Sequence, residues 1–172
     1  VCYGTCSRKN FNSGSSYRND HWVYYRKFDT VIMNILILQG PNLNLLGFKS
    51  SQIKERLTLG KLNKEIKSST NLENVQLKFL QTHKEFQAIN FLQRNRTKAG
   101  GLLFIPTSWA KNNYTIFETI KLINIKTAVI YFNDPYSFGT DEKDSIIKGS
   151  NIKSFTGDPV SSSTSGIKHL LK

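Results

Sequence analysis

Side chains able to do chemistry on their own are sparse in this sequence, and the ones present are poorly grouped. Cys2 and Cys6 are the only cysteines. A single C-x3-C pair lacks the two further ligands that a closed zinc site needs, so the two read as free thiols. His21, His83 and His169 are scattered along the chain and form no motif. Gly100-Gly101 precedes a strand instead of joining a strand to a helix, so it reads as a turn and not as a phosphate loop. No metal and no cofactor is expected. What does cluster is aromatic and cationic: His21-Trp22-Val23-Tyr24-Tyr25-Arg26-Lys27-Phe28 interleaves rings with positive charge. Rings stack on unpaired bases while Arg and Lys meet phosphates, so the segment suits RNA. A strand clasping another protein, with alternate residues buried, fits the same residues.

The charge balance points in the same direction. The 172 residues carry 24 Lys+Arg against 12 Asp+Glu, a net charge of +12. A field of this sign favours anionic polymers, although a lysine-rich proteome produces it too. No apolar run is long enough to cross a bilayer; the longest, Val31 to Leu38, is broken by Asn34 and reads as a strand. Residues 1–32 hold Arg8, Lys9, Arg18, Arg26 and Lys27 against Asp20 and Asp29, and are rich in Ser, Gly and Asn. That basic, hydroxylated, acid-poor composition is like the surroundings of a mitochondrial transit peptide, and the chain opens on Val1 with its only methionine at Met33. The expectation is a processed mitochondrial protein with a basic extension over 1–32 and one domain over 33–172.

Within 33–172, short β-branched apolar runs alternate with segments of helical period, the pattern of a parallel sheet flanked by helices. Strands are predicted at Asn34–Leu38, Val75–Leu80, Leu102–Ile105, Ala128–Phe132 and Ile152–Phe155. Helices are predicted at Thr58–Ser69, Glu85–Ala99, Tyr114–Ile123 and Gly166–Lys172, with a short one at Glu142–Lys148. The fold class is therefore α/β, a flavodoxin-like three-layer doubly wound fold with a five-stranded parallel sheet. In such folds ligands bind beyond the carboxyl ends of the strands, so the segments that matter are 39–57, 81–85, 106–112 and 133–142. The Gly/Ser/Asn-rich stretch 10–16 and the run Ser161 to Ser165 need something to hold them, since such segments are otherwise disordered.

The first of those segments carries a resemblance. Gly40-Pro41-Asn42-Leu43-Asn44-Leu45-Leu46-Gly47 matches the GPNLNLLG signature of type II 3-dehydroquinate dehydratases without a gap. Weaker similarity continues in order through Gln81, Thr82 and Glu85, Pro106, Gly157 and Gly166. The resemblance implies an anti elimination of water through an enolate. That chemistry needs a base for the proton α to a carbonyl, a polar group for the enolate and an acid for the departing hydroxyl, each worth about 10²–10⁴ in rate.

Carried across residue by residue, the resemblance places Lys49 and Lys54 where the family has an Arg and a Tyr. Ile105 stands for the water-holding Asn, Lys111 for a substrate-contacting His and Tyr131 for the general-acid His, with Val129 in place of its orienting Glu. A lysine base must first shed a proton held with an ordinary pKa of about 10.4, although burial and a cationic neighbour can tune one to the task. Asn42 stays where the family binds substrate, and a lone Asn there reads as a turn former. From these positions the sequence reads as a pseudoenzyme with no small-molecule substrate. The expectation is a structural subunit of a large hetero-oligomeric assembly, the mitochondrial ribosome, touching rRNA and ribosomal proteins through Arg8, Lys9, Arg18, Trp22, Arg26 and Lys27. Lys61, Lys64, Lys67, Arg94, Arg96 and Lys98 would add phosphate contacts. The alternatives are an accessory subunit of a respiratory complex and an active 3-dehydroquinate dehydratase.

Overall fold

Residues 32–52, 56–70 and 74–172 are described by the computed structural model. Five strands, β1 (Met33–Gln39), β2 (Val75–Gln81), β3 (Ala99–Ile105), β4 (Thr127–Phe132) and β5 (Ile152–Gly157), form one sheet in the order β2-β1-β3-β4-β5. Every pairing is parallel. The helices are α1 (Leu46–Lys49), α2 (Leu59–Ser68), α3 (Glu85–Asn95), α4 (Trp109–Asn112), α5 (Tyr114–Ile123) and α6 (Pro159–Leu170). The flavodoxin-like α/β class expected from the sequence is what the chain adopts.

Strand side chains alternate between two layers. Ile35, Ile37, Leu103, Ile105, Ala128 and Ile130 pack with Leu62 and Ile66 of α2 and Ile167 and Leu170 of α6. Leu36, Leu38, Leu102, Phe104, Val129 and Tyr131 pack with Ala88 and Leu92 of α3 and Ile116 and Ile120 of α5. With both faces covered, the central strands read as continuous apolar runs, and all six residues of β4 are buried. Short polar caps start α2 and α5: Thr58 Oγ1 accepts the Lys61 N–H at 3.3 Å, and Asn113 Oδ1 accepts the Ile116 N–H at 2.9 Å.

Three local expectations are corrected. The last helix begins at Pro159 and not at Gly166, and it absorbs the serine run without outside help. Its Asp158 cap accepts the N–H groups of Val160 and Ser161, both at 3.1 Å. Ser162 and Ser163 are buried because their small size lets α6 lie close on the sheet; a Cβ on Gly166 would sit 2.7 Å from a Leu103 methyl. Secondly, Ala99 ends no helix and Gly100-Gly101 is no turn: all three belong to β3, where Gly100 lies against the Met33 side chain. Thirdly, the short helix at Glu142–Lys148 shrinks to one turn, Glu142–Asp144.

The loops that follow β1 and β3 touch backbone to backbone. Gly40 N–H donates to the Ile105 carbonyl at 2.8 Å. A Cβ on Gly40 would lie 2.8 Å from Thr107 Oγ1 and closer still to the Pro106 carbonyl oxygen. Gly40→Ala is therefore expected to lower unfolding free energy by about 1–3 kcal/mol, the range for forcing a group into a filled site, with the urea midpoint as the measurement.

Candidate active site

Three segments meet over the carboxyl ends of β1, β3 and β4. After β1 the chain turns through Asn42, whose φ of 65° is left-handed, and Leu45 N–H closes the turn on the Asn42 carbonyl at 2.8 Å. Leu43 and Leu46 then anchor the lid into the α2/α6 layer while Phe48 and Lys49 stay exposed. After β3, Pro106 leads into Thr107, also left-handed at φ 52°, whose hydroxyl donates to the Pro41 carbonyl at 2.8 Å. After β4, residues 133–142 form a strap laid across the other two segments. Gly139, at φ +68°, packs so tightly on the 107–108 backbone that a Cβ would fall 2.6 Å from Ser108 Cα. Lys49 Nζ ties the strap down by donating to the Ser137 carbonyl, and it stands 5.0 Å over the Phe138 ring.

The strap fills the crevice. Ile105, Thr107, Tyr131, Phe138 and Thr140 enclose only about 10 Å³ at the strand tips. That is room for one water at most. Two larger clefts flank the strap and differ in sign. One, of about 470 Å³, carries Asp134, Asp141 and Glu142 against Lys143, beside Tyr131 and Thr156. The other, of about 830 Å³, lies between α2 and α6 and carries Arg56, Lys61 and Lys64.

Each position singled out in the sequence has a definite place. Ile105 and Tyr131 share the tip cavity but face opposite layers, Ile105 toward α2 and α6, Tyr131 toward α3 and α5. The Tyr131 hydroxyl donates to Ser145 Oγ at 2.6 Å, and the same oxygen accepts the Ile147 N–H at 3.1 Å. Lys49 reaches the strap, whereas Lys111 is exposed on α4 and does not line the cavity. His83 is exposed just after β2, and His169 lies on α6 against Phe155, remote from the tips. Lys54 lies outside the described residues, as do Cys2, Cys6, Arg8, Lys9, Arg18, His21, Trp22, Arg26 and Lys27. Sequence reasoning missed the strap contacts of Ser137, Phe138 and Gly139, and the Ser145 partner of Tyr131. A glycine within a polar run and an isolated serine carry no periodic signal.

The family model for class II dehydroquinase matches residues 33–171. A 3-dehydroquinate dehydratase of Clostridium acetobutylicum is 31% identical over 102 residues, covering 59% of this chain and 71% of the relative. One from Clostridium botulinum is 26% identical over 124 residues, covering 72% of this chain and 84% of the relative. Among solved structures, the type II dehydroquinase of Butyrivibrio crossotus superposes with a TM-score of 0.69 at 20% identity, over 82% of this chain and 99% of that one. The fold and the lid signature define a doubly wound α/β domain with its crevice at the strand tips. This chain belongs to the class II dehydroquinase family.

The comparisons overturn the reading as a pseudoenzyme and ribosomal subunit. Relatives matched over most of the domain are named as 3-dehydroquinate dehydratases, and none of these names refers to a ribosome, to rRNA or to RNA binding. The expectation of rRNA and ribosomal-protein partners in place of a small-molecule substrate is corrected with it. The ribosomal reading rested on charge, and the pseudoenzyme reading on the side chains standing at Lys49, Lys54, Ile105, Lys111 and Tyr131. A basic surface and a few exchanged side chains are weaker signals than a match running from the first strand to the last helix.

Burial raises the Tyr131 phenol above its ordinary 10.0, and the Glu142 carboxylate adds in the same direction against the Ser145 hydrogen bond. A phenol that keeps its proton longer when folded contributes its full stabilisation below pH 10.0, and that margin is lost as pH rises through the folded-state value. Tyr131→Phe should cost about 1 kcal/mol at pH 7 through the lost hydrogen bond. It should also lose less stability than the parent between pH 9 and 11, as read by urea unfolding at each pH.

Proposed function

We propose that the chain is a dehydratase of the 3-dehydroquinate class, eliminating water from a cyclic β-hydroxy ketone acid. One observation carries this reading: the family match spans residues 33–171, from the first strand to the last helix, and the relatives over that span bear this activity in their names. The strand-tip architecture fits it, because lid, β3 loop and strap converge where the family's crevice lies.

The side chains at those positions assign the steps. Lys54, five residues after Lys49 in the sequence and at the position of the family's tyrosine, is assigned as the base. Its neutral amine takes the proton α to the ketone, and the C–H electrons pass to the enolate. Collapse of the enolate restores the carbonyl, forms the new C=C bond and breaks the C–O bond at the β carbon. The departing hydroxyl takes the Tyr131 proton and leaves as water, and the tyrosinate recovers a proton from the Lys54 ammonium through solvent. A phenol is protonated at neutral pH even at its ordinary 10.0, so Tyr131 is available as a donor, and the burial that raises that value makes it a weaker acid. A ring-sized substrate reaches it only when the strap lifts, since the closed crevice holds about 10 Å³.

Purified chain is expected to turn over 3-dehydroquinate, followed by the ultraviolet absorbance of the conjugated enone. Lys54→Gln should lower kcat by about 10² or more, the usual worth of a proton-transfer group. Absence of turnover above buffer overturns the reading, and a Lys54→Gln chain as fast as the parent overturns the assignment of the base. The same proposal places the chain in mitochondria and divides it at 32/33. Support comes from the basic, hydroxylated composition of residues 1–32 and from the start of the family match at residue 33. A full-chain fluorescent fusion that stays cytosolic would rule out the mitochondrial placement.

A further inference from the structure

The larger of the two flanking clefts is unlike the rest of the surface. It is about 830 Å³, floored by Leu57, Val160 and the Tyr136 ring, and three cations converge on it from two segments: Arg56 at the end of the lid, and Lys61 and Lys64 on α2. None of the three is ion-paired with a carboxylate among the described residues. Two carboxylates share the cleft. Asp158 is turned inward as the cap of α6, accepting the N–H groups of Val160 and Ser161. Glu65 lies one turn from Lys61 on α2 without pairing to it. Lys61 Nζ donates to the Arg56 backbone carbonyl at 3.1 Å, which joins the lid's end to the first turn of α2.

A concave wall of low dielectric concentrates the field of such charges, so an anion in the cleft meets them more strongly than on open surface. The cleft on the other side of the strap carries Asp134, Asp141 and Glu142 against one cation, Lys143, and its excess negative charge disfavours the same ligand. We propose that the α2/α6 cleft is a binding site for a small carboxylate anion, held by Arg56, Lys61 and Lys64. The guanidinium offers the two parallel N–H donors that match a carboxylate, and the ammonium groups act as point charges beside it. The inference deepens the dehydratase reading and rests on it only for the ligand's identity: the carboxylate is the substrate's own, or that of a second acid acting as an effector. Either would hold the end of the lid, because Arg56 is the last lid residue before Leu57 enters the core.

The test uses the full chain and citrate as the probe, by isothermal titration at low and at 0.5 M salt. Lys61→Gln with Lys64→Gln is expected to weaken citrate binding about tenfold or more, the worth of one lost charged hydrogen bond. Lys121→Gln with Lys168→Gln removes the same charge from α5 and α6 away from the cleft, and should change binding less than twofold. Equal weakening in both double variants, or no citrate binding by the parent at low salt, overturns the site. Thermal melts of both variants matching the parent keep the comparison one of binding. With 3-dehydroquinate, a KM raised more than kcat is lowered in the cleft variant identifies the substrate's own carboxylate as the ligand. An unchanged KM with citrate binding lost identifies an effector acid. A chain that binds citrate in the cleft but shows no turnover loses the dehydratase reading and keeps the site. A chain that turns over but binds citrate alike in both variants loses only the site.

Discussion

The junction of the loops after β1 and β3 holds the strand tips in one arrangement. These strands are neighbours, and the chain leaves them toward opposite faces of the sheet, β1 to α2 and β3 to α5, which makes the gap between them the topological switch point. Gly40 closes that gap by donating to Ile105, and Thr107 does so by donating to Pro41. From the other side, Gln81 Nε2 donates to the Gly40 carbonyl at 3.3 Å and Thr82 N–H to the Gln39 carbonyl at 3.0 Å. Backbone polar groups in a buried junction must be satisfied internally, and here one glycine without a side chain allows the approach that satisfies them. The lid's starting direction, the left-handed turn at Asn42 and the seat of the strap on Ser108 all follow from it.

Electrostatics acts on a different scale. The chain carries +12, yet among the described residues no lysine or arginine is ion-paired with a carboxylate. Exposed ion pairs contribute little stability in any case, so the fold rests on its two apolar layers, and the excess charge is left to act outward. His169 feels it directly: desolvation first, then Lys126, Lys153 and Lys172, lower its pKa below the ordinary value. The cations over aromatic faces, Lys67 on Phe79 and Lys153 on Phe155, place their stems on apolar surface and their charge in water.

Much of the architecture could be read from residue order. Buried strands such as Ala128–Phe132 announce themselves because both faces are covered and no polar residue interrupts them. The lid signature located the switch point without any coordinates. What stayed hidden depended on contacts between distant segments. Ser161–Ser165 reads as a linker by composition, and only the Asp158 cap and the closeness of α6 to Leu103 make it helix. Gly100 and Gly101 read as a turn because glycine weakens a strand, yet Met33 and Leu170 fill the space their missing side chains leave. The site was legible as a set of positions and not as a geometry. Tyr131 and Ile105 were placed at the tips, and strand alternation with the β3/β4 register turns them to opposite layers, but that Phe138 fills the space between them depends on a strap with no sequence periodicity.

The strap also explains how a closed crevice and a charged surface belong to one design. It lies between two clefts of opposite sign, with Asp134, Asp141 and Glu142 on one side and Arg56, Lys61 and Lys64 on the other. On the proposed reading, an acid approaching the strand tips would be drawn to the cationic side, where the lid ends, and away from the acidic side, where β4 and β5 end. Lys49 holds the strap by donating to the Ser137 carbonyl, a single contact between a lid side chain and the strap backbone. An anionic group competes with that neutral carbonyl for the ammonium more strongly than an uncharged one does. On the proposed dehydratase reading, charge selection and opening would meet at the same lysine, and the excess of positive charge would become part of how the crevice admits an acid.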